Sequence, residues 1–166
     1  MSKKLLIVRH AKSDWNNPEL RDFDRPLNER GERNAPEMAR RLIRNDLVPQ
    51  LLVSSPAVRA LTTAELFAGV FGYDTSDIIR VPEIYEARSA TLLEIVNNLS
   101  NHTDFAALFG HNPGVSHLAS KLTDSRFVDL PTCGMVLIKF PFDDWKLISG
   151  GTGTVKWEDY PKKNHG

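Results

Sequence analysis

The sequence predicts an α/β fold, a three-layer sandwich in which a mostly parallel central sheet carries helices on both faces. Short apolar runs, which suit strands buried on both faces, alternate along the chain with segments whose apolar residues recur at helical spacing. The 166 residues, 41% of them hydrophobic and 25% charged, suit one domain with a full core. We therefore assign residues 1–160 to a single domain and residues 161–166 to a flexible tail.

The first strand is predicted at residues 5–8, where four apolar residues lead directly to a charged pair, Arg9 and His10. A polar loop over residues 11–33 follows. In open parallel sheets, ligands bind just beyond the carboxyl ends of the strands. At that edge an imidazole can act as a nucleophile and a guanidinium can hold an anion. A charged pair that merely closes a strand is the alternative interpretation.

Capping signals delimit the first two helices. Asn34 and Glu37 form a capping pair, and the helix that they open is predicted to end before Pro49. Ser55 is the predicted N-cap of the second helix, because Pro56 follows it at the first helical position, where proline is tolerated. This helix is predicted to end at Gly72. Both segments carry an apolar stripe, so we expect both helices to pack on the sheet.

The later elements repeat the alternation. A third helix is predicted to open at Ser89, and a fourth at the Asn112-Pro113 pair. The remaining strands are predicted, in chain order, at residues 51–53, 78–81, 105–110, 134–140 and 146–150. For so short an apolar run as 105–110, a helix is the alternative interpretation. We expect the last two strands to form an antiparallel hairpin at the sheet edge, and the glycine-rich residues 150–154 to be loose.

Two further strand-to-helix junctions supply polar side chains. Arg59 falls in the first turn of the second helix, and His111 stands just before the fourth. If the strands are parallel, both lie at the same sheet edge as Arg9 and His10, beside helix N-termini that attract anions. This grouping predicts an anion site, with phosphate as the anion. Taken singly, Arg59 could be a surface arginine, and His111 could be a hydrogen-bonded residue at a strand end.

Four segments resemble, in the same order, the motifs of one known family. RHAKSDWN at residues 9–16 resembles an RHG-x-S-x-W-N signature, and DRPLNERGERNA at 24–35 resembles a D-x-P-L-T-x-x-G segment. SSPAVRALTTAE at 54–65 resembles S-S-x-x-x-R-A-x-x-T-A-E, and FGHNPGVSHL at 109–118 carries a strand-end histidine. On these motifs the chain resembles the histidine phosphatase superfamily, whose fold is phosphoglycerate mutase-like.

Within that superfamily, the chain is similar to the SixA-type phosphohistidine phosphatases. The similarity lies in the RHAKS motif, with Ala11 in place of glycine, in the GHNP junction and in the small size of the chain. Superfamily members often carry insertions beyond the third strand that cover the site, whereas only residues 83–89 stand there in this chain. The resemblance therefore implies no large lid and an open phosphate pocket, which suits phosphohistidine on a protein.

The resemblance also implies roles for the matching residues. His10 would be the nucleophile that takes the phosphoryl group. Arg9, Arg59 and His111 would bind and stabilise its oxygens, and Asn16 would add a side-chain donor. A largely dissociative phosphoryl transfer mainly needs in-line positioning and matched positive charge. Because arginines supply that charge, we expect neither a metal ion nor a cofactor.

The general acid is the least defined of these roles. Superfamily members usually carry a glutamate after the third strand, followed by a glycine-containing segment that this chain lacks. Glu83 lies closest to that position and is the candidate catalytic acid, with Glu86 as the second candidate. Both could instead be surface carboxylates. A substrate with a labile P–N bond would need a tuned acid less than an alkyl phosphate ester would.

The sequence thus predicts a hydrolase that acts on phosphoryl groups. The leading hypothesis is a metal-independent phosphatase that works through a phosphohistidine intermediate, acts on phosphohistidine in proteins and releases inorganic phosphate. A phosphatase for a small phosphate ester, such as a sugar or nucleotide phosphate, is the first alternative. A non-catalytic module that binds phosphate or phosphopeptides is the second, and such a module would tolerate the loss of His10.

Composition argues against other partners and compartments. A formal net charge of zero gives no indication of a nucleic-acid or acidic-membrane partner. No apolar stretch approaches the length of a membrane span, and the N-terminal apolar run is too short for a signal peptide. Cys133, the single cysteine, allows neither a disulfide framework nor a thiolate metal cluster, and no CX5R-type loop surrounds it. We expect a cytoplasmic protein.

Overall fold

A computed structural model describes residues 2–124 and 127–162, in which strands and helices alternate. The strands are β1 (Lys3–Arg9), β2 (Leu51–Ser54), β3 (Ile79–Arg80), β4 (Phe105–Gly110), β5 (Met135–Phe140) and β6 (Thr154–Asp159). The helices are α1 (Glu29–Arg44), α2 (Val58–Phe71), α3 (Ser89–Asn97) and α4 (Gly114–Leu122). The predicted single domain over residues 1–160 stays a prediction, and most of the predicted tail, residues 163–166, lies outside the described residues.

The six strands form one sheet in the order β3-β2-β4-β1-β5-β6. The first four are parallel to one another, whereas β5 runs antiparallel to both β1 and β6. Because Arg9 pairs with Gly110, and Ser54 pairs with Phe109, the parallel strands β1, β2 and β4 end together. The residues that follow these strands therefore meet at one edge of the sheet, as the sequence predicts.

Helices cover both faces of the sheet and confirm the predicted three-layer sandwich. Side chains of a strand alternate between the two faces. Leu5 and Ile7 accordingly belong to one apolar cluster, which includes residues of α3 and α4. Leu6 and Val8 belong to the other, which includes residues of α1 and α2. Among the described residues, no helix has both the length and the apolar character needed to cross a bilayer.

The first helix begins earlier than predicted, at Glu29 rather than near Asn34. The Oδ1 atom of Asn28 accepts a hydrogen bond from the backbone N–H of Gly31 at 2.8 Å and so caps the helix one turn sooner. Pro36 therefore lies inside α1, where it removes one backbone hydrogen bond. The apolar face of the helix, packed on the sheet, outweighs that loss.

The last strand was predicted wrongly at residues 146–150. Trp145–Leu147 form a 3-10 turn that buries the indole of Trp145, and the final strand is β6, which pairs antiparallel with β5 at the sheet edge. The expectation that residues 150–154 are loose is also wrong in part. The backbone N–H of Gly153 donates to Leu122 O at 2.8 Å, and Thr154 already belongs to β6.

Smaller differences affect the junctions of the sheet. β3 has two residues instead of the predicted four, and α2 begins at Val58 rather than directly after Ser55. Ser55 Oγ still accepts a hydrogen bond, from the backbone N–H of Ala57 at 3.1 Å. The fourth helix begins at Gly114, just after the predicted start pair. The chain from Ser55 to Ala57 is thus a tight turn between strand and helix.

Candidate active site

His10 directly follows β1 and is buried. Its Nδ1 atom lies 2.7 Å from the carbonyl oxygen of Ala11. A carbonyl oxygen can only accept, so Nδ1 carries the ring hydrogen and Nε2 keeps its lone pair. Burial, together with the positive charges of Arg59, Arg9 and Arg25, lowers the pKa of His10 to about 4. The imidazole is therefore neutral near pH 7.

His111 follows β4 and lies beside His10, with 5.2 Å between the ring centroids. Its Nε2 atom lies 2.8 Å from Ser55 Oγ, in the turn that follows β2. Burial, together with the neighbouring His10 and Arg59, lowers the pKa of His111 to about 3. The ring of Tyr85 packs edge-on against His111 at 5.5 Å. A second neutral imidazole therefore adjoins the first.

Arg59 lies in the first turn of α2 and is tied to the polar loop that follows β1. Its Nη1 atom donates to Asp22 O at 2.6 Å, and its Nη2 atom donates to Asp22 Oδ2 at 2.9 Å. The same carboxylate accepts from Tyr85 Oη at 2.6 Å and from Arg25 Nε at 3.1 Å. The hydrogen bond from Tyr85 and those from the two arginines hold the pKa of Asp22 at about 2. Asp22 is thus a charged hub that orients Arg59.

Arg9 ends β1 and contacts the segment that precedes β5. Its Nη1 atom donates to the carbonyl oxygen of Leu130 at 3.1 Å. Burial lowers the pKa of the guanidinium, while the negative charge of Asp129 opposes this shift. The side chain also lines a groove of about 500 Å³, with the exposed Phe127 and Tyr160 among its walls.

Three buried side-chain nitrogen atoms in the described part of the chain have no hydrogen-bond partner. They are Nε of Arg9, Nε of Arg59 and Nδ1 of His111. Buried donors are nearly always paired, so an unpaired donor needs an explanation such as a ligand. Both guanidinium groups are close enough to His10 to lower its pKa. The arrangement can therefore hold a tetrahedral oxyanion against the free Nε2 atom of His10.

The structure does not bring Asn16 or Glu83 to the two histidines. Asn16 is exposed, and only its backbone N–H has a described partner, Asp14 Oδ1 at 2.7 Å. Glu83 is exposed too and lines an apolar groove between the β3 edge and α3. Glu86 lies closer to the site, since it acts on Tyr85, whose ring packs against His111. Burial, Asp22 and Glu86 together raise the pKa of Tyr85 to about 12. The roles assigned to Asn16 and Glu83 stay predictions.

Sequence reasoning missed Arg25, although it lies within the motif-bearing segment 24–35. The side chain is buried, its Nη1 atom donates to Ser13 Oγ at 2.9 Å, and its guanidinium stacks 3.4 Å from the ring centroid of Trp15. Its charge reaches His10. The motif that this segment resembles leaves the position of Arg25 unspecified, so no signal in the sequence marked this arginine.

Sequence reasoning also missed Asp22, Tyr85 and the contact of Ser55 with the second histidine. No local pattern marks these residues, because each reaches the site from a different loop or turn. Cys133, by contrast, is buried, and burial raises the pKa of its thiol to about 12, which keeps it protonated. Within residues 2–124 and 127–162, no three His, Cys, Asp or Glu side chains are grouped so that they could hold a metal ion.

Comparison with known proteins gives matches that cover most of the chain. The family model of the histidine phosphatase superfamily (branch 1) matches residues 5–127. An uncharacterized chloroplastic protein of Arabidopsis thaliana is 30% identical over 166 residues, which cover 95% of this chain and 76% of that protein. The crystal structure of a protein from Agrobacterium tumefaciens, assigned as the phosphohistidine phosphatase SixA, superposes with a TM-score of 0.81 and 26% identity, over 97% of this chain and 99% of that one.

A second solved structure shares the fold at lower identity. It is the protein histidine phosphatase SixA complexed with tungstate, and it superposes with a TM-score of 0.77 and 22% identity over 95% of this chain and 97% of that one. These likenesses confirm the predicted phosphoglycerate mutase-like architecture, with a six-stranded mixed sheet between helices.

Proposed function

Because this chain belongs to the histidine phosphatase superfamily and is a phosphatase, we propose that it hydrolyses phosphohistidine on proteins without a metal ion, through a phosphohistidine formed at His10. The observation that carries the proposal is the hydrogen bond from His10 Nδ1 to the carbonyl oxygen of Ala11. This bond leaves Nε2 as an unprotonated nucleophile near pH 7, where a free histidine is partly protonated.

The reaction has two steps. The lone pair of His10 Nε2 attacks the phosphorus atom, a P–N bond forms to the enzyme, and the P–N bond to the substrate imidazole breaks. The departing nitrogen takes a proton from a water molecule, so that the substrate imidazole leaves as a neutral ring and a hydroxide ion remains. A second water molecule then attacks the phosphorus atom, the bond to Nε2 breaks, and inorganic phosphate is released. The proton that this second water gives up neutralises the hydroxide ion. Neither step changes an oxidation state or uses a cofactor.

Charge stabilisation comes from the buried donors around the two rings. The transferred group carries negative charge on its equatorial oxygens throughout, so fixed positive charge and N–H donors lower the barrier. Arg59 and Arg9 supply the charge, and each has an Nε–H without an acceptor among the described residues. Arg25 adds a third cation that acts on His10. This set takes the place that a metal ion has in other phosphoryl-transfer enzymes.

The form of the site supports a protein substrate. Only residues 81–88, which include the 3-10 turn Pro82–Ile84, separate β3 from α3, which is too little chain for a lid over the histidines. The imidazole of a phosphohistidine also leaves without the help of a strong general acid, because the P–N bond is labile. For phosphate esters, we propose that Glu83 protonates the leaving oxygen and that Asn16 donates to the phosphoryl group. Both would have to move from their exposed positions to do so.

The test compares substrates on the purified chain. A histidine-containing protein phosphorylated with phosphoramidate, p-nitrophenyl phosphate, a sugar phosphate and a nucleotide monophosphate are offered at equal concentration, with and without a chelator. We expect phosphohistidine to be hydrolysed fastest and turnover to survive chelation. Faster turnover of a small ester would point to a small-molecule phosphatase. No turnover of any substrate would indicate a binding module, and chelator-sensitive turnover would overturn the metal-free mechanism.

Variants assign the residues. His10→Ala should abolish turnover, while His102→Ala, which removes an exposed histidine, should leave it unchanged. Brief mixing with a labelled substrate should trap a phosphoryl group on the wild-type chain that is stable in alkali and labile in acid. Undiminished turnover in His10→Ala would mean that another group is the nucleophile. Glu83→Gln should slow an alkyl phosphate ester more than phosphohistidine, and Glu86→Gln tests the second candidate in the same assay.

A further inference from the structure

The turn that follows β2 leads into α2 and also contacts His111, through the hydroxyl of Ser55. We propose that Ser55 is a positioning residue that holds His111 in the tautomer with its hydrogen on Nδ1, so that His111 gives the phosphoryl group a neutral N–H donor. The identity of the anion rests on the proposed function. The tautomer itself follows from the hydrogen bonds of Ser55 and does not depend on turnover.

The hydroxyl of Ser55 has one hydrogen and two lone pairs. It is completely buried, and one lone pair accepts from the backbone N–H of Ala57 at 3.1 Å. The remaining contact of Oγ is His111 Nε2 at 2.8 Å. If Nε2–H were the donor, Oγ would accept twice, and its own hydrogen would have no acceptor among the described residues. A buried hydroxyl without an acceptor is unfavourable, so Ser55 donates and Nε2 accepts.

A neutral imidazole carries a single N–H, and the bond from Ser55 therefore places that hydrogen on Nδ1 of His111. The Nδ1 atom is buried and has no acceptor in the described part of the chain. The ring that bears it lies 5.2 Å from His10, where the phosphoryl group would be attached. A phosphoryl oxygen would supply the missing acceptor. A phosphoryl group attached to His10 would thus also satisfy the unpaired donor of His111.

The surroundings keep His111 neutral when it donates. Burial, His10 and Arg59 all oppose protonation, and Asp22 is the acidic group that acts in the other direction. A cationic His111 would present hydrogens on both nitrogens, and Nε2 could then no longer accept from Ser55. In contrast to Arg59, His111 would therefore bind the phosphoryl group by a directed hydrogen bond, without adding charge.

The first test reads the tautomer directly. In wild-type protein labelled with 15N-histidine, we expect Nδ1 of His111 to have a pyrrole-type shift and Nε2 a pyridine-type shift, from about pH 5 to pH 8. The His111→Asn variant assigns the signals. A protonated Nε2 with a bare Nδ1, or a ring protonated on both nitrogens in this range, would overturn the proposal. The tautomer is read on the wild-type protein, and the variant serves only to assign the signals.

The second test measures the affinity for inorganic phosphate and vanadate by titration calorimetry. Ser55→Ala should weaken binding about tenfold or more, since a hydrogen bond to a charged group is lost, and should shift the tautomer signals. Ser54→Ala is the matched control, because its buried hydroxyl donates only to Ser55 O, and it should bind as the wild type does. Ser55→Thr, which keeps the hydroxyl, should restore both readouts. Unchanged affinity and signals in Ser55→Ala would overturn the proposal.

A third comparison separates the two ring nitrogens. The amide of asparagine can donate from the position of Nδ1, whereas the amide of glutamine reaches the position of Nε2. We therefore expect His111→Asn to bind phosphate more tightly than His111→Gln, and the reverse order would overturn the proposal. Wild-type protein that shows the expected tautomer and binds phosphate, but hydrolyses no substrate, would refute the proposed function while leaving this inference in place.

Discussion

The Nδ1 atom of His10 lies 2.7 Å from the carbonyl oxygen of Ala11, the next residue in the chain. The peptide of Ala11 is itself held by α2, because its N–H donates to Thr63 Oγ1 at 3.0 Å, and Thr63 in turn donates to Arg59 O at 2.7 Å. The orientation of the imidazole is therefore coupled to the helix that carries Arg59. A contact between neighbours in sequence thus depends on a helix more than 50 residues away.

Activity should persist to unusually low pH. The pKa of His10 is lowered to about 4, so the nucleophile stays unprotonated well below the ordinary histidine pKa of 6.5. We expect kcat/KM, corrected for ionisation of the substrate, to fall as pH drops through about 4, because the free enzyme's pKa governs this parameter. Stopped assays between about pH 3.5 and pH 8 test this. A fall centred near the ordinary histidine pKa would contradict it.

Removing the charge of Asp22 should tighten phosphate binding. The carboxylate partly neutralises Arg59, yet Arg59 is also held by the backbone oxygen of Asp22 at 2.6 Å. Asp22→Asn keeps the shape and the backbone contact. We expect a gain of about three- to tenfold in phosphate affinity, a modest figure because the Asp22 side chain is 47% exposed and its charge is screened.

Asp24→Asn is the control for the Asp22 variant. It removes a carboxylate of the same segment whose exposed partner is Arg21, at 2.8 Å, and it should not change the affinity. Titration calorimetry with inorganic phosphate measures both variants. Weaker binding by Asp22→Asn would mean that the carboxylate is needed to orient Arg59 and that its charge is of secondary importance.

Stability should decrease as the pH falls from about 6.5 to about 4. The pKa values of His10 and His111 are lowered to about 4 and about 3 in the folded chain. Between these values and the ordinary 6.5, the unfolded chain binds more protons than the folded one, so acid favours unfolding. Each unit of pKa difference corresponds to about 1.4 kcal/mol.

Urea titrations across this pH range measure the free energy of unfolding. We expect a shallower pH dependence for His111→Asn than for the wild type, because one of the two depressed histidines is gone. The low pKa of Asp22, about 2, contributes a loss of stability only at lower pH, below its ordinary value of 3.8. Equal pH dependence in the two proteins would show that the low pKa of His111 does not cause the loss of stability in acid.

Gly31→Ala should destabilise the fold although alanine is the better helix former. Gly31 lies in the first turn of α1, and a Cβ there would collide with the backbone oxygen and nitrogen of Lys12. Since that segment follows His10, the helix cannot move away without disturbing the site. We expect a loss of about 2 kcal/mol or more in the free energy of unfolding, against a helix-propensity gain of about 1 kcal/mol.

Gly69→Ala provides the opposite case on α2. Nothing lies within 4 Å of a Cβ built at Gly69, so only the propensity term remains. We expect this variant to be more stable than the wild type by about 0.5–1 kcal/mol. Urea denaturation of both variants at one pH decides the matter, and a Gly31→Ala protein as stable as Gly69→Ala would contradict the collision with Lys12.

The sequence by itself determined the elements whose signals are local. Four consecutive apolar residues before Arg9 predicted β1, and the predicted strand at 105–110 matches β4. Because parallel strands end together, His10 and His111 could be assigned to one sheet edge without coordinates, and their rings do lie side by side. The family motifs lie on these same segments, and the fold and the family follow from them.

Only the tertiary structure decided which residues meet these histidines. Ser55, Asp22, Tyr85 and Arg25 reach the site from separate turns and loops, whose paths no hydrophobic periodicity encodes. The last strand was misplaced for a related reason: a short segment that mixes apolar and charged residues, as around Trp145, can pack as a turn as readily as a strand, and packing against the core decides between them. Local propensity selects an element, whereas its partners depend on the whole chain path.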